Sequence, residues 1–159
     1  MTGKSFLRPF SAIVVPAFFV VAAFAHDAAG ANDVQKARHD HFHDIGDNFK
    51  AVRDQSKAAT PDWAAMEKAA GTVVTLSSEL PKWFPKGSGT EAGKTRALPE
   101  VWSKPDDFAA AAKKFADATP KLLAAAKTKD VAQVNAAFKE VGGACKNCHD
   151  TFRAPEDEH

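Results

Sequence analysis

The chain has 159 residues, 45% of them hydrophobic, and carries 21 Lys or Arg against 20 Asp or Glu for a formal net charge of +1 at pH 7. That is apolar material for one core of domain size, and the near-neutral balance excludes a basic nucleic-acid-binding surface and an electrostatic pull toward anionic membranes. With two cysteines, the chain is not a disulfide-built scaffold.

The first segment reads as an export signal. Lys4 and Arg8 precede an apolar run from Phe10 to Ala25, broken only by Ser11 and Pro16, and small residues offer cleavage after Ala25 or as late as Ala31. An uncleaved membrane anchor is the rival, disfavoured by the short run and by Pro16. Removing residues 1–25 takes away two basic residues and no acidic one, which moves the formal charge from +1 to −1. The expected organisation is a signal peptide over 1–25, one domain over 32–154 and an acidic tail over 155–159.

Four helical stretches follow, and no convincing strand. Val34, Arg38, Phe42, Ile45, Phe49 and Val52 recur at spacings of three and four, one face of a helix running from about Asn32 to Ser56. Thr60 as N-cap, Pro61 at the first helical position and Asp62 in the first turn open a second helix through Trp63, Met66, Ala70 and Val73, stopped by Pro81. Residues 81–104 are rich in Gly, Pro, Ser and Lys, with Trp83, Phe84 and Trp102 as apolar anchors. A loop of that length is expected to pack over something large and flat.

A third helix is expected from Pro105, with Ser103 and Asp106 in capping-box spacing and Phe108, Phe115 and Leu122 seven apart; Pro120 should kink or divide it. The fourth opens at Asp130 with Gln133 three residues on, and passes through Val134, Phe138, Val141, Cys145, Cys148 and Phe152 before Pro155. Two of the three connections are short, which argues an all-α, antiparallel four-helix bundle.

Chemistry enters through Cys145-Lys146-Asn147-Cys148-His149. C-x-x-C-H is a c-type haem attachment run: two thiols add across the vinyl groups of one haem, and the next His supplies an axial imidazole to the iron. On a helix, positions i, i+3 and i+4 face one way, so one turn both tethers and ligates. A structural zinc site on these thiols would want a second Cys pair, which the chain lacks, and a redox dithiol would sit after a strand in a βαβ setting; His39 and His43, at i and i+4, could separately bind an adventitious metal. Export suits thioether formation, which takes place outside the cytoplasm, and the bacterial periplasm is the expected compartment. Only His159 follows the motif as a possible second axial ligand, so the distal group must come from upstream.

These residues resemble the class II cytochrome c family, the cytochrome c′ group, over essentially the whole mature chain. The resemblance rests on Arg38-x-x-x-Phe42-x-x-Ile45-Gly46, on Leu98-Pro99-Glu100-Val101-Trp102 and on the Cys145 to Arg153 block. It implies one covalent haem c, with Cys145 and Cys148 as thioether positions and His149 as axial iron ligand. Arg38, Phe42, Ile45, Trp102, Phe152 and Arg153 are expected around it. In that family the Phe42 position lies over the distal face, where Met gives a six-coordinate electron carrier and Leu or Phe leaves the sixth position open. A phenyl ring has no lone pair for iron, so an open, apolar distal site is expected here.

Alternatives remain at this level. His39, His41 or His43 would give a bis-His electron carrier if the first helix were rotated, and Met66 would give His/Met ligation, though a Met on an apolar stripe is more often core. Arg38 is expected to reach a haem propionate, and Arg153, four after His149, to meet a propionate or tune the imidazole. An apolar distal pocket favours NO or CO over O₂, which wants a hydrogen-bond donor. Electron transfer with redox partner proteins is compatible with that. No nucleophile and base pair suggests an enzyme, and the family's habit of pairing through the first two helices makes a homodimer possible.

Overall fold

In chain order the helices are α1 (Ala28–Lys57), α2 (Trp63–Glu79), the short α3 (Glu100–Ser103), α4 (Pro105–Lys127) and α5 (Val131–Phe152). The computed structural model describes residues 28–155, so the signal peptide expected over 1–25 and most of the acidic tail lie outside the described residues. The four long helices form the antiparallel bundle: α1 packs on α2, α2 on α4 and α4 on α5, whereas α1 and α5 touch far less. Among the described residues there is no strand, only one isolated antiparallel bridge between Ala97 and Arg153.

The interior is built from the stripes that the spacings mark. Val52, Met66, Val73, Leu122, Val134 and Val141 are wholly buried, together with Ala70 and Ala126, and burying one such aliphatic side chain is worth about 1.5–3 kcal/mol. Alanines along α4 let the helices approach closely. Met66 belongs to this core and is no ligand candidate. On α1 the buried residue of the first turns is Gln35 rather than Val34, so the inward face reads Gln35, Arg38, Phe42, Ile45, Phe49, Val52.

Helix ends depart from expectation in instructive ways. The cap of α2 is Asp62, not Thr60: its side chain accepts from Ala65 N at 3.0 Å and the helix starts at Trp63. Ser103 does not cap α4. It ends α3, and α4 starts at Pro105 after Lys104 without a side-chain cap. Asp130 does cap α5, accepting from Ala132 N and Gln133 N, while Gln133 Nε2 bonds back to its second oxygen at 2.9 Å.

Pro120 does not divide α4, which runs unbroken to Lys127. Its missing N–H would leave Ala116 O without a helical donor, and the hydroxyl of Thr119 reaches that carbonyl at 3.3 Å. The same hydroxyl lies 2.8 Å from Ser77 Oγ on α2. One buried Thr thus repairs the break and ties two helices.

The loop between α2 and α4 is more ordered than its composition suggests. α2 runs at Pro81 into a 3₁₀ turn (Leu80–Trp83), a second turn spans Thr90–Ala92, and α3 follows. At its far end the loop is sewn to the end of α5: Leu98 N donates to Phe152 O at 3.0 Å and Ala154 N to Arg96 O at 2.8 Å.

Candidate haem site

Cys145, Cys148 and His149 all lie within α5, in the turn before its C-terminus. The cysteines are free and half-buried, and His149 is exposed. Burial pushes the Cys145 thiol up to about 11, with Cys148 adding to the effect, and burial raises Cys148 too. Both are therefore neutral thiols near pH 7, unlike the depressed thiolates of dithiol redox enzymes. The His149 imidazole is pulled below its ordinary value by its packed surroundings first, then by Arg153 and Arg96, which keeps it in the neutral form that ligates metal. Arg153 Nη1 sits 3.4 Å from His149 Nδ1.

Opposite this turn stands α1. The two helices meet where the rings of Phe49 and Phe138 stack, 3.8 Å apart and 4° from parallel. Seven residues along each antiparallel helix is about 10 Å, which brings Phe42 level with Cys145. Phe42 is half-buried, edge-on to Trp83 at 5.5 Å and to Phe84 at 6.2 Å. From there an aromatic chain continues: Phe84 to Phe108 at 4.8 Å, Phe108 to Phe152 at 5.3 Å, and Phe84 to Trp102 at 6.2 Å. Trp102 Nε1 donates to Pro85 O at 3.0 Å, so its polar edge holds the loop while its ring faces the other aromatics. Ile45, three residues after Phe42 on α1, is buried in the core.

The three histidines of α1 do not act together. His39 and His43 are exposed and pack on each other with ring centroids 4.4 Å apart, while His41 stacks on Trp83 at 4.6 Å.

Arg38 is 4% exposed, and its guanidinium donates to Trp83 O, Ser88 Oγ, Ser88 O and Thr95 Oγ1 at 2.9–3.3 Å. Its Cζ lies 4.6 Å from the Phe84 ring centroid. Burial lowers its pKa, and none of these acceptors is a carboxylate. Gln35, one turn earlier, donates to Gly89 O at 2.6 Å and leaves its own buried Oε1 without a donor.

The sequence model of the Cytochrome C′ family matches residues 33–153. The chain belongs to the cytochrome c′ family. It is 36% identical over 152 residues to cytochrome c-554 of Cereibacter sphaeroides, covering 92% of this chain and 98% of that one. Against cytochrome c′ of Rubrivivax gelatinosus, whose crystal structure superposes with a TM-score of 0.70, it is 40% identical over 77% of this chain and 96% of the other. A ferrous variant of Alcaligenes xylosoxidans cytochrome c prime with bound NO superposes with a TM-score of 0.71 at 29% identity, over 79% of this chain and 97% of that one. Cytochromes c′ carry one covalently bound c-type haem.

The residues present fit that group. Phe42, Phe84, Trp102, Cys145 and Cys148 are only partly buried although they pack against the core, apolar surface that a large flat cofactor would cover. The donor set is two neutral thiols and a neutral imidazole within one helical turn. The buried Arg38 guanidinium has no carboxylate among its acceptors, and with both Nη atoms engaged by Trp83, Ser88 and Thr95 only its Nε–H is left for a propionate.

Gln35, Ser88 and Thr95 escaped the sequence reading, yet they place Arg38. Gln35 could have been found from spacing alone, since Gln35, Arg38, Phe42, Ile45, Phe49 and Val52 alternate three and four. Ser88 and Thr95 carried no such signal, because their roles depend on how an aperiodic loop folds back.

Proposed function

We propose that this member of the cytochrome c′ family is exported to the periplasm, transfers electrons to and from protein partners, and binds NO or CO at an open, apolar distal site. When bound, the haem supplies a one-electron centre and an axial site for a diatomic ligand. Cys145 and Cys148 would hold it through thioethers, and His149 would offer Nε2 to the iron. The observation that carries the reading is Phe42: it stands on α1 level with Cys145 and within a cluster of rings, whereas His39 and His43 pack on each other at the exposed side of the same helix. Phenylalanine neither ligates iron nor donates a hydrogen bond, so the pocket discriminates against O₂ and leaves NO and CO as ligands.

Other residues of the chain set the properties of that site. With Nε2 of His149 engaged, Nδ1 keeps its proton, and the Arg153 guanidinium 3.4 Å away has only donors and cannot accept it. The axial imidazole is thereby held neutral rather than pushed toward imidazolate. Arg38 and the Trp102 edge fix the loop, and the Nε–H of Arg38, the donor the loop does not use, would be its means of meeting a propionate. No nucleophile and base constellation accompanies these groups, so binding and redox cycling, not catalysis, is the proposed activity. NO bound to the Alcaligenes xylosoxidans relative supports the choice of ligand. Homodimerisation through α1 and α2 is part of the proposal.

Optical spectroscopy of the purified haem protein tests this. A broad high-spin ferric Soret band is expected, with a marked shift of the ferrous spectrum on adding CO or NO. Phe42→Met should convert the protein to a six-coordinate form with sharp α and β bands and a weakened CO response. Sharp bands in the wild type, or no spectral change in Phe42→Met, sink the placement of α1 over the iron.

A further inference from the structure

The geometry points to a second metal site, separate from the haem: His39 and His43 form a two-imidazole surface site for a borderline divalent cation such as zinc. They are four apart on α1 and stand on the same side of the helix, their ring centroids 4.4 Å apart. A metal–nitrogen bond of about 2.1 Å added to the radius of an imidazole puts a ring centroid about 3.2 Å from the ion. Two such rings at ligand angles between square-planar and tetrahedral are then about 4.5–5.2 Å apart. The observed separation is within a small side-chain rotation of that range, and no backbone movement is needed.

Two further features favour a cation at this spot. His39 Nδ1 is 3.5 Å from Asp40 Oδ1, a carboxylate behind the ring that selects the Nδ1–H tautomer and frees Nε2 as the metal donor. Asp40 is kept ionised by Lys36 first and by His39 as well. From His39 to Asp47 the exposed side chains include three carboxylates; Asp40 is paired with Lys36 one turn back, which leaves Asp44 and Asp47 as the negative charge of this stretch and a local field that attracts cations. His39 and His43 are both exposed, which leaves the remaining coordination positions to water. Imidazole pairs select zinc, nickel or copper over magnesium or calcium, whose hard oxygen preference they do not meet. His41, two residues from each, is turned away onto Trp83 at 4.6 Å and takes no part.

The test is equilibrium dialysis of zinc against the haem-loaded protein, with bound zinc and iron measured together. One zinc per chain is expected in addition to the iron. His39→Ala and His43→Ala should each weaken zinc binding by at least about tenfold, the low end of what losing even outer-shell support costs a metal site, and His41→Ala should change it less than about twofold, under a third of the step that tenfold represents in free energy terms. All three substitutions are on an exposed or half-exposed helix face, and the Soret band of each should match the wild type. As a second readout, zinc should raise the thermal midpoint of the wild type with rising concentration by linkage and leave the double variant unmoved. The inference is overturned if the double variant binds zinc as the wild type does, if His41→Ala abolishes binding, or if the wild type takes up no stoichiometric zinc below about 1 mM.

Discussion

Replacing Arg38 separates its work on the loop from its work on a cofactor. In the protein its guanidinium donates to Trp83 O at 3.3 Å, Ser88 Oγ at 3.0 Å, Ser88 O at 2.9 Å and Thr95 Oγ1 at 3.0 Å. Truncation does not orphan all four acceptors. Ser88 Oγ still donates to Pro85 O, Ser88 O still accepts from Gln35, and Thr95 Oγ1 still accepts from Ala97 N. Only Trp83 O loses its sole side-chain donor, a cost of about 1–3 kcal/mol, to which the lost stacking on Phe84 adds about 0.5–2 kcal/mol. Relief from burying a charge offsets part of this, so Arg38→Ala should destabilise by about 2–4 kcal/mol and lower the thermal midpoint by about 10 °C.

Arg38→Met keeps the apolar stem against Phe84 and should lose less. Urea unfolding gives the stability, and limited trypsin digestion locates the effect, since Lys82, Lys86 and Lys94 are exposed on the loop and should be cleaved faster in both variants. Stability within about 0.5 kcal/mol of wild type, the level of an ordinary surface substitution, together with unchanged loop cleavage would refute the assignment of Arg38 as the residue that holds the loop down.

Three further outcomes follow from the geometry. Thr119→Val removes the hydroxyl that serves both Ala116 O and Ser77 and should cost about 1–2 kcal/mol in urea unfolding, whereas Thr119→Ser should recover much of it. Asp130→Ala removes the α5 cap; the Asp130 carboxyl is held below its usual range by Gln133 and by the backbone of Ala132 and Gln133, so its contribution is present above the unfolded carboxylate pKa and disappears as pH falls through the lower folded value. Wild-type and Asp130→Ala stabilities measured from pH 7 downward should therefore converge in acid and stay apart at neutrality. Arg153→Gln places an acceptor near His149 Nδ1 and deletes a nearby positive charge; both changes favour ferric over ferrous iron, and redox titration should show a lowered reduction potential.

What could be read from the chain was whatever helical periodicity carries. The stripe from Arg38 to Val52 and the run Phe108, Phe115, Leu122 mark their buried faces, and Cys145, Cys148 and His149 need only one helical turn to be placed together. Local signals did less well where neighbours compete. Thr60 and Asp62 both suit a cap, and the one whose oxygen reaches Ala65 N wins. Pro120 forecast a break that Thr119 repairs from the adjacent position. The loop between α2 and α4 resisted reading because its order comes from distant partners: nothing in residues 83–97 foretells that Arg38 from one side and Ala154 from the other hold it in place.

That double attachment bears on how the chain assembles. The connections 58–62 and 128–130 close the α1–α2 and α4–α5 hairpins over short distances, while the ties of the strap join residues 50 apart for Arg38 and Ser88 and 58 apart for Arg96 and Ala154. Contacts so far separated in sequence pay their loop-closure entropy late. The hairpins therefore form first and the strap settles last, which leaves the end of the bundle that carries the thiols and the imidazole accessible until the rest of the fold is in place.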